Sequence, residues 1–355
     1  MTAPGPAPPP GTRPGPDRGR NRTRPGASRR KRAVVLATVA ALVAGGAFAT
    51  LALTGDTGHT PFAPYVQTQR NTVPDLTGLA EKTGVKRFHI GFVIAADGRC
   101  EPKWGGRTAL DAAPIARQVD DLRVSGGEVR ASFGGQAGTE LALACRSVDA
   151  LEDAYRQVID IYGLTDVDFD IEGTDVVSDT AANTRRSQAI ARLQKSHPGL
   201  DVTLTLSVTP RGMPPENVEL LAEAERQGVS VSAVNIMAMH YGPSYRGDMG
   251  TYAEQAATAS HRQVKRVLGI KDDDKAWGRL AVTAMIGVND GSGEVFTLED
   301  AAQLRRFADD KGLAWLSVWS VNRDRQCPEG TPVDTPHDSC SGVPQKDMAF
   351  IRAFG

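Results

Sequence analysis

The sequence predicts a single (β/α)8 barrel, a TIM barrel, preceded by a disordered basic tail and one transmembrane or signal segment. Three observations carry this expectation. After residue 61, strand-like apolar runs alternate with amphipathic helical runs eight times, with no second shift in composition. That stretch matches the roughly 250 residues plus insertions that such a barrel needs. No GxGxxG or P-loop follows the first strand, as an open doubly wound sheet would usually bring.

Residues 1–32 are rich in Arg, Pro and Gly and include the run Arg29, Arg30, Lys31, Arg32, which reads as a disordered cytoplasmic tail. Residues 33–53 contain no charge, only Ala, Val, Leu, Gly, Thr and Phe. At about 1.5 Å per residue such a helix just spans a hydrocarbon core of about 30 Å. The basic run before it would keep the N-terminus inside and send the remainder out. Two fates stay open: retention as a membrane anchor, or cleavage after a small-x-small site such as Ala47, Phe48, Ala49. Residues 54–60 read as a linker, and 61–355 as the barrel, placed outside the cell or on its surface.

The formal net charge of -1 provides no basic field for nucleic acid. Four cysteines, an even number without a CxxC pair, suit an exported protein. They allow three connectivities, of which we take Cys100 with Cys145 and Cys327 with Cys340. The second would close a short Pro and Gly-rich loop and contribute about 3 kcal/mol by chain entropy. The scattered histidines show no metal-ligand spacing, so neither a catalytic metal nor a cofactor is expected.

Strands are expected at 63–67, 87–95, 128–133, 164–171, 201–208, 231–239, 280–287 and 313–320. Between the third and fourth, Val148, Leu151, Tyr155, Val158, Ile159 and Tyr162 form one apolar helical stripe, with Ser147 placed as its N-cap. A later helix starts after Thr297, with Asp300 completing a capping box. Trp104 follows the second strand, as a cleft wall or a loop anchor, while Trp277 and Trp315 read as packing residues.

The fourth strand carries the chemistry. It reads LTDVDFDIEG, with Asp166, Asp168, Asp170 and Glu172 on alternate positions and apolar residues between them. A period of two puts all four carboxyls on one face, and burying such a row costs too much for a packing device. In a parallel barrel the inward positions converge on the C-terminal opening, where Glu172 would stand. Neighbouring negative charges would raise one pKa and keep a proton available near neutral pH.

The preceding strand ends in Ser132, Phe133, Gly134, Gly135, whose paired glycines allow close backbone approach. This order of motifs resembles glycoside hydrolase family 18, the chitinase family, whose third strand carries SxGG and whose fourth carries DxxDxDxE. NIMAMHYG at 235–242 is similar to its sixth-strand motif, VTAMIGVND at 282–290 to its seventh, and WSVNRD at 319–324 to its eighth. The tail at 340–354 resembles the actinobacterial secreted branch.

The resemblance implies substrate-assisted, retaining hydrolysis of β-1,4-linked N-acetylglucosamine oligomers or chitin, and for an exported barrel of this size a monomer is the default expectation. Glu172 would act as general acid and base, Asp170 would stabilise the acetamido-derived intermediate, and Asp168 would share a proton behind it. Trp319 would floor a sugar subsite, and Ser132, Met237, His240 and Tyr241 complete the implied substrate-binding set. The sequence also departs from the family. Thr165 replaces the first Asp of the acidic motif, and Met239 and His240 stand where an aromatic and an Asp are usual. A chitinase-like lectin with weakened turnover and an endo-β-N-acetylglucosaminidase are the alternative readings.

Overall fold

In the computed structural model, which describes residues 58–68, 73–291 and 293–355, eleven strands are formed. They are β1 (Tyr65–Gln67), β2 (Arg87–Ala96), β3 (Arg99–Trp104), β4 (Glu128–Gly134), β5 (Asp166–Ile171), β6 (Asp201–Ser207), β7 (Ala233–Met237), β8 (Leu280–Met285), β9 (Gly287–Val288), β10 (Val295–Phe296) and β11 (Trp315–Trp319). Strands β1, β2, β4, β5, β6, β7, β8 and β11 pair in parallel in that order. The sheet closes on itself where Leu316 N–H donates to Pro61 O at 2.8 Å and Ala63 N–H to Leu316 O at 2.9 Å. These eight strands lie within two residues of the expected runs at either end.

The outward positions are apolar because helices cover them. Phe88, Val129, Val167, Phe169, Val202, Leu204, Val234, Ile236, Val282 and Leu316 are all buried. The helix Val148–Tyr162 buries its stripe here, with Ser147 Oγ accepting Ala150 N–H at 3.2 Å. The helix Leu298–Lys311 opens with the expected capping box between Thr297 and Asp300.

Three strands were not expected: β3 and the short antiparallel pair of β9 and β10. β3 folds back antiparallel on β2, and Cys100 on it is bonded to Cys145. Its Trp104 is fully buried, donating its indole N–H to Tyr162 Oη at 3.0 Å, so it is a loop anchor. Cys327 is bonded to Cys340. Trp277 stacks on His261 with centroids 4.0 Å apart, as a packing residue.

Among the described residues no helix is long and apolar enough to cross a membrane. The expected tail at 1–32 and the apolar segment at 33–53 lie outside the described residues.

Candidate active site

The acidic row of β5 points into the barrel, and its surroundings change with height. At the N-terminal end Asp166 meets Arg130 of β4, whose Nη2 donates to Asp166 Oδ1 at 3.0 Å and to Asp201 Oδ1 at 2.8 Å. This ion pair neutralises the lowest carboxyl of the row. A second cavity, lined in part by Arg130, His89 and Trp315, lies at this end and is separate from the acids above.

One step up, Asp168 is fully buried and takes three hydroxyl donors. Tyr65 Oη donates at 2.9 Å, Ser132 Oγ at 2.6 Å and Thr205 Oγ1 at 2.6 Å. Asn235 Nδ2 donates to Thr205 Oγ1 at 3.0 Å, and Thr283 Oγ1 to Asn235 Oδ1 at 2.9 Å. The donors come from β1, β4, β6, β7 and β8, so the barrel itself orients this carboxyl. Burial still raises its pKa, against the opposing effect of the hydroxyls and of Arg130.

Higher still, Asp170 is buried and its Oδ1 has no hydrogen-bond partner. Burial, the charge of Glu172 and the charge of Asp168 raise its pKa well above the usual carboxyl range. Its hydrogen bond runs to Glu172. Hydroxyl donors occupy both oxygens of Asp168. Glu172 stands at the mouth, and its pKa is pushed up to about 7, chiefly by burial and then by the charges of Asp168 and Asp290. An acid poised there holds a proton near neutral pH and can also give it up.

The paired glycines of the third barrel strand have a visible role. A Cβ at Gly134 would lie 2.1 Å from Asp170 O, and one at Gly135 would lie 2.7 Å from the Phe92 ring. Only glycine lets β4 end against both the acid strand and the cleft wall.

Above the acids is an open cleft of about 810 Å³, lined among others by Glu172, Asp170, Trp319, Met237, Met239 and His240. Trp319 stacks on Phe92 with centroids 5.5 Å apart and an interplanar angle of 27°. His240 is exposed and takes a φ of 56°, in the left-handed region.

Two implied substrate contacts are corrected. Ser132 is fully buried beneath the acids, where its hydroxyl serves Asp168 and does not line the cleft. Tyr241 is also buried and does not line the cleft. Its ring packs edge-on against Tyr245 at 5.8 Å and Tyr252 at 6.1 Å, and its N–H is held by Glu294.

Sequence reasoning passed over Phe92, Tyr65 and Asp290, all of which line the cleft. Tyr65 lay in an expected strand, and Asp290 closed a quoted motif, so both carried a signal. Phe92 did not, because the pairing of β2 with β4 shifts register between Gly91 and Val93. Strict alternation would turn Phe92 outward with Phe88 and Ile90, whereas the shift turns it inward.

A closed parallel barrel that leads a row of carboxyls to a proton-bearing acid at its C-terminal mouth is the framework of a barrel glycosidase. The comparisons with known proteins agree. No protein-family model matches the chain. The probable bifunctional chitinase/lysozyme of Escherichia coli (strain K12) is 35% identical over 307 residues, covering 82% of this chain and 34% of that protein. Endochitinase 11 of Metarhizium anisopliae is 34% identical over 278 residues, covering 74% of this chain and 52% of that protein. This chain therefore spans from about a third to about half the length of these curated relatives. The catalytic domain of the hyperthermophilic chitinase from Pyrococcus furiosus superposes with a TM-score of 0.74 at 31% identity, covering 84% of this chain and 96% of that one. Catalytic-site mutants of that chitinase have been solved with chito-oligosaccharides. The chain belongs to the chitinase family, glycoside hydrolase family 18.

Proposed function

We propose that this chain hydrolyses β-1,4-linked N-acetylglucosamine oligomers, or chitin, by substrate-assisted retaining chemistry. The observation that carries this reading is the pairing of Asp170 with Glu172 at the floor of a cleft walled by Trp319. Glu172 donates its proton to the glycosidic oxygen as the bond to the anomeric carbon breaks. The acetamido carbonyl oxygen of the same sugar attacks that carbon, forming a cationic ring that Asp170 stabilises. Glu172, now ionised, takes a proton from water as the water oxygen opens the ring, which restores the acid and retains configuration. Trp319 offers a flat apolar ring to the C–H face of a pyranose.

Family membership, the Pyrococcus furiosus complexes with chito-oligosaccharides and the two chitinase relatives support this substrate class. In this reading residues 61–355 are the catalytic unit, which acts as a monomer and belongs to the actinobacterial secreted branch. Residues 33–53 export it or hold it at the membrane, with 1–32 left inside and 54–60 as linker. The two disulfides favour that location.

Incubation of the full chain with chitin oligosaccharides, read by mass spectrometry beside Glu172→Gln, tests the reading. Cleavage that disappears in Glu172→Gln is the expected result. Retained oligosaccharide binding with no cleavage by the parent would replace it with a lectin built on a hydrolase barrel. His240 at the family's Asp position is the observation that keeps this second reading in view.

A further inference from the structure

His240 and Asp290 reach the cleft from different loops, those that follow β7 and β9. A side chain outside the cleft lining connects the two. Glu294 is fully buried, and its carboxylate accepts Tyr241 N–H at 3.1 Å on Oε2 and Gly242 N–H at 2.7 Å on Oε1. Its backbone closes the other loop, with its N–H donating to Gly291 O at 3.0 Å and its carbonyl accepting Asn289 N–H at 3.0 Å. Among the described residues no Lys, Arg or His pairs with it. Its burial is therefore supported by two successive amides, an arrangement that binds anions well.

The residue just before those amides is His240, with its left-handed φ of 56°. A non-glycine residue holds that conformation only where its surroundings enforce it. The enforcing contact is the anchoring of 241 and 242 to Glu294, which fixes the turn that projects the imidazole into the cleft. Gly291 protects the anchor, since a Cβ there would lie 2.2 Å from Glu294 Oε1.

We infer that Glu294 is a positioning residue, which fixes His240 as a wall of the cleft and ties that wall to the loop bearing Asp290. The kinetic arm of its test rests on the proposed function, whereas the structural arm does not.

The structural arm uses the full chain labelled at the histidine ring carbons. Six histidines give six NMR signals for each protonated ring carbon, of which one belongs to His240 in the cleft. In Glu294→Gln an amide replaces one acceptor and opposes a backbone N–H. The His240 signal should then move and broaden, while those of His59, His89, His197, His261 and His337 stay in place. Gly291→Ala keeps the charge but drives a methyl against Oε1, and should move the same signal. It decides the matter if Glu294→Gln fails to fold. An unmoved His240 signal overturns the assignment.

In the kinetic arm, Glu294→Gln should raise KM for an oligosaccharide about tenfold with kcat changed about twofold or less, as expected for lost uniform binding. In a His240→Ala background the same substitution should change KM about twofold or less. An effect of equal size in both backgrounds overturns positioning through His240. If the parent cleaves nothing, the proposed function falls and the NMR result still decides the role of Glu294.

Discussion

Asp170 shares its hydrogen bond with Glu172, while its other oxygen, Oδ1, is buried without a partner. Two carboxyls so arranged cannot both ionise cheaply, and they titrate as a pair. Because Glu172 must hold a proton to act as an acid, the alkaline limb of kcat/KM against pH should fall near pH 7. Hydrolysis of a soluble oligosaccharide across pH 4 to 9 measures it, and a limb near the ordinary carboxyl range would contradict the arrangement.

Asp290 offers a direct test of the cause. Its negative charge helps to keep Glu172 protonated, so Asp290→Asn lets Glu172 ionise at lower pH. The alkaline limb should move down, and kcat/KM at pH 8, normalised to the acidic plateau, should fall roughly two- to threefold below that of the parent. A limb that moves up would refute the stated sign.

The same raised pKa predicts a stability effect of opposite benefit. Folding raises the Glu172 pKa to about 7, so the folded state favours the protonated form. That contribution is complete below the unfolded pKa and is lost as pH rises through about 7. Glu172→Gln cannot ionise, so it should be more stable than the parent at pH 8 by about 3 kcal/mol, and about equal to it at pH 4. Thermal unfolding at the two pH values gives the comparison.

Away from the cleft, Arg186 and Glu140 form a buried bidentate pair, Nε to Oε1 at 3.0 Å and Nη2 to Oε2 at 2.9 Å. Arg186→Met would leave Glu140 charged and buried, at a cost of about 3 to 5 kcal/mol. Adding Glu140→Leu should recover most of the loss. Denaturant unfolding of the two variants distinguishes a pair that holds the fold by strength from one whose removal is costly only when done by halves.

The barrel was legible because its signals are local. Period-two runs placed the eight strands, and Ser147 and Thr297 marked their helix starts through caps that the structure contains. The acid row was legible for the same reason. β3 was not, since RCEPKW holds a proline and three charges and is held by β2 and a disulfide rather than by its own pattern. Phe92 was hidden by a register shift, and Ser132 and Tyr241 were given to the cleft although burial removes both. Glu294 showed nothing beyond being an acid in a loop, because its partners are backbone amides about fifty residues earlier.

The acids of β5 also differ in how they meet water. Asp168 has no exposed surface, Asp170 almost none, and Glu172 opens on the cleft. Protons therefore reach or leave the upper part of the row from the cleft side, where Glu172 is the most open of the acids. An occupant seated over that carboxyl covers this side of the row, and the proton on Glu172 is left facing the occupant instead of the solvent.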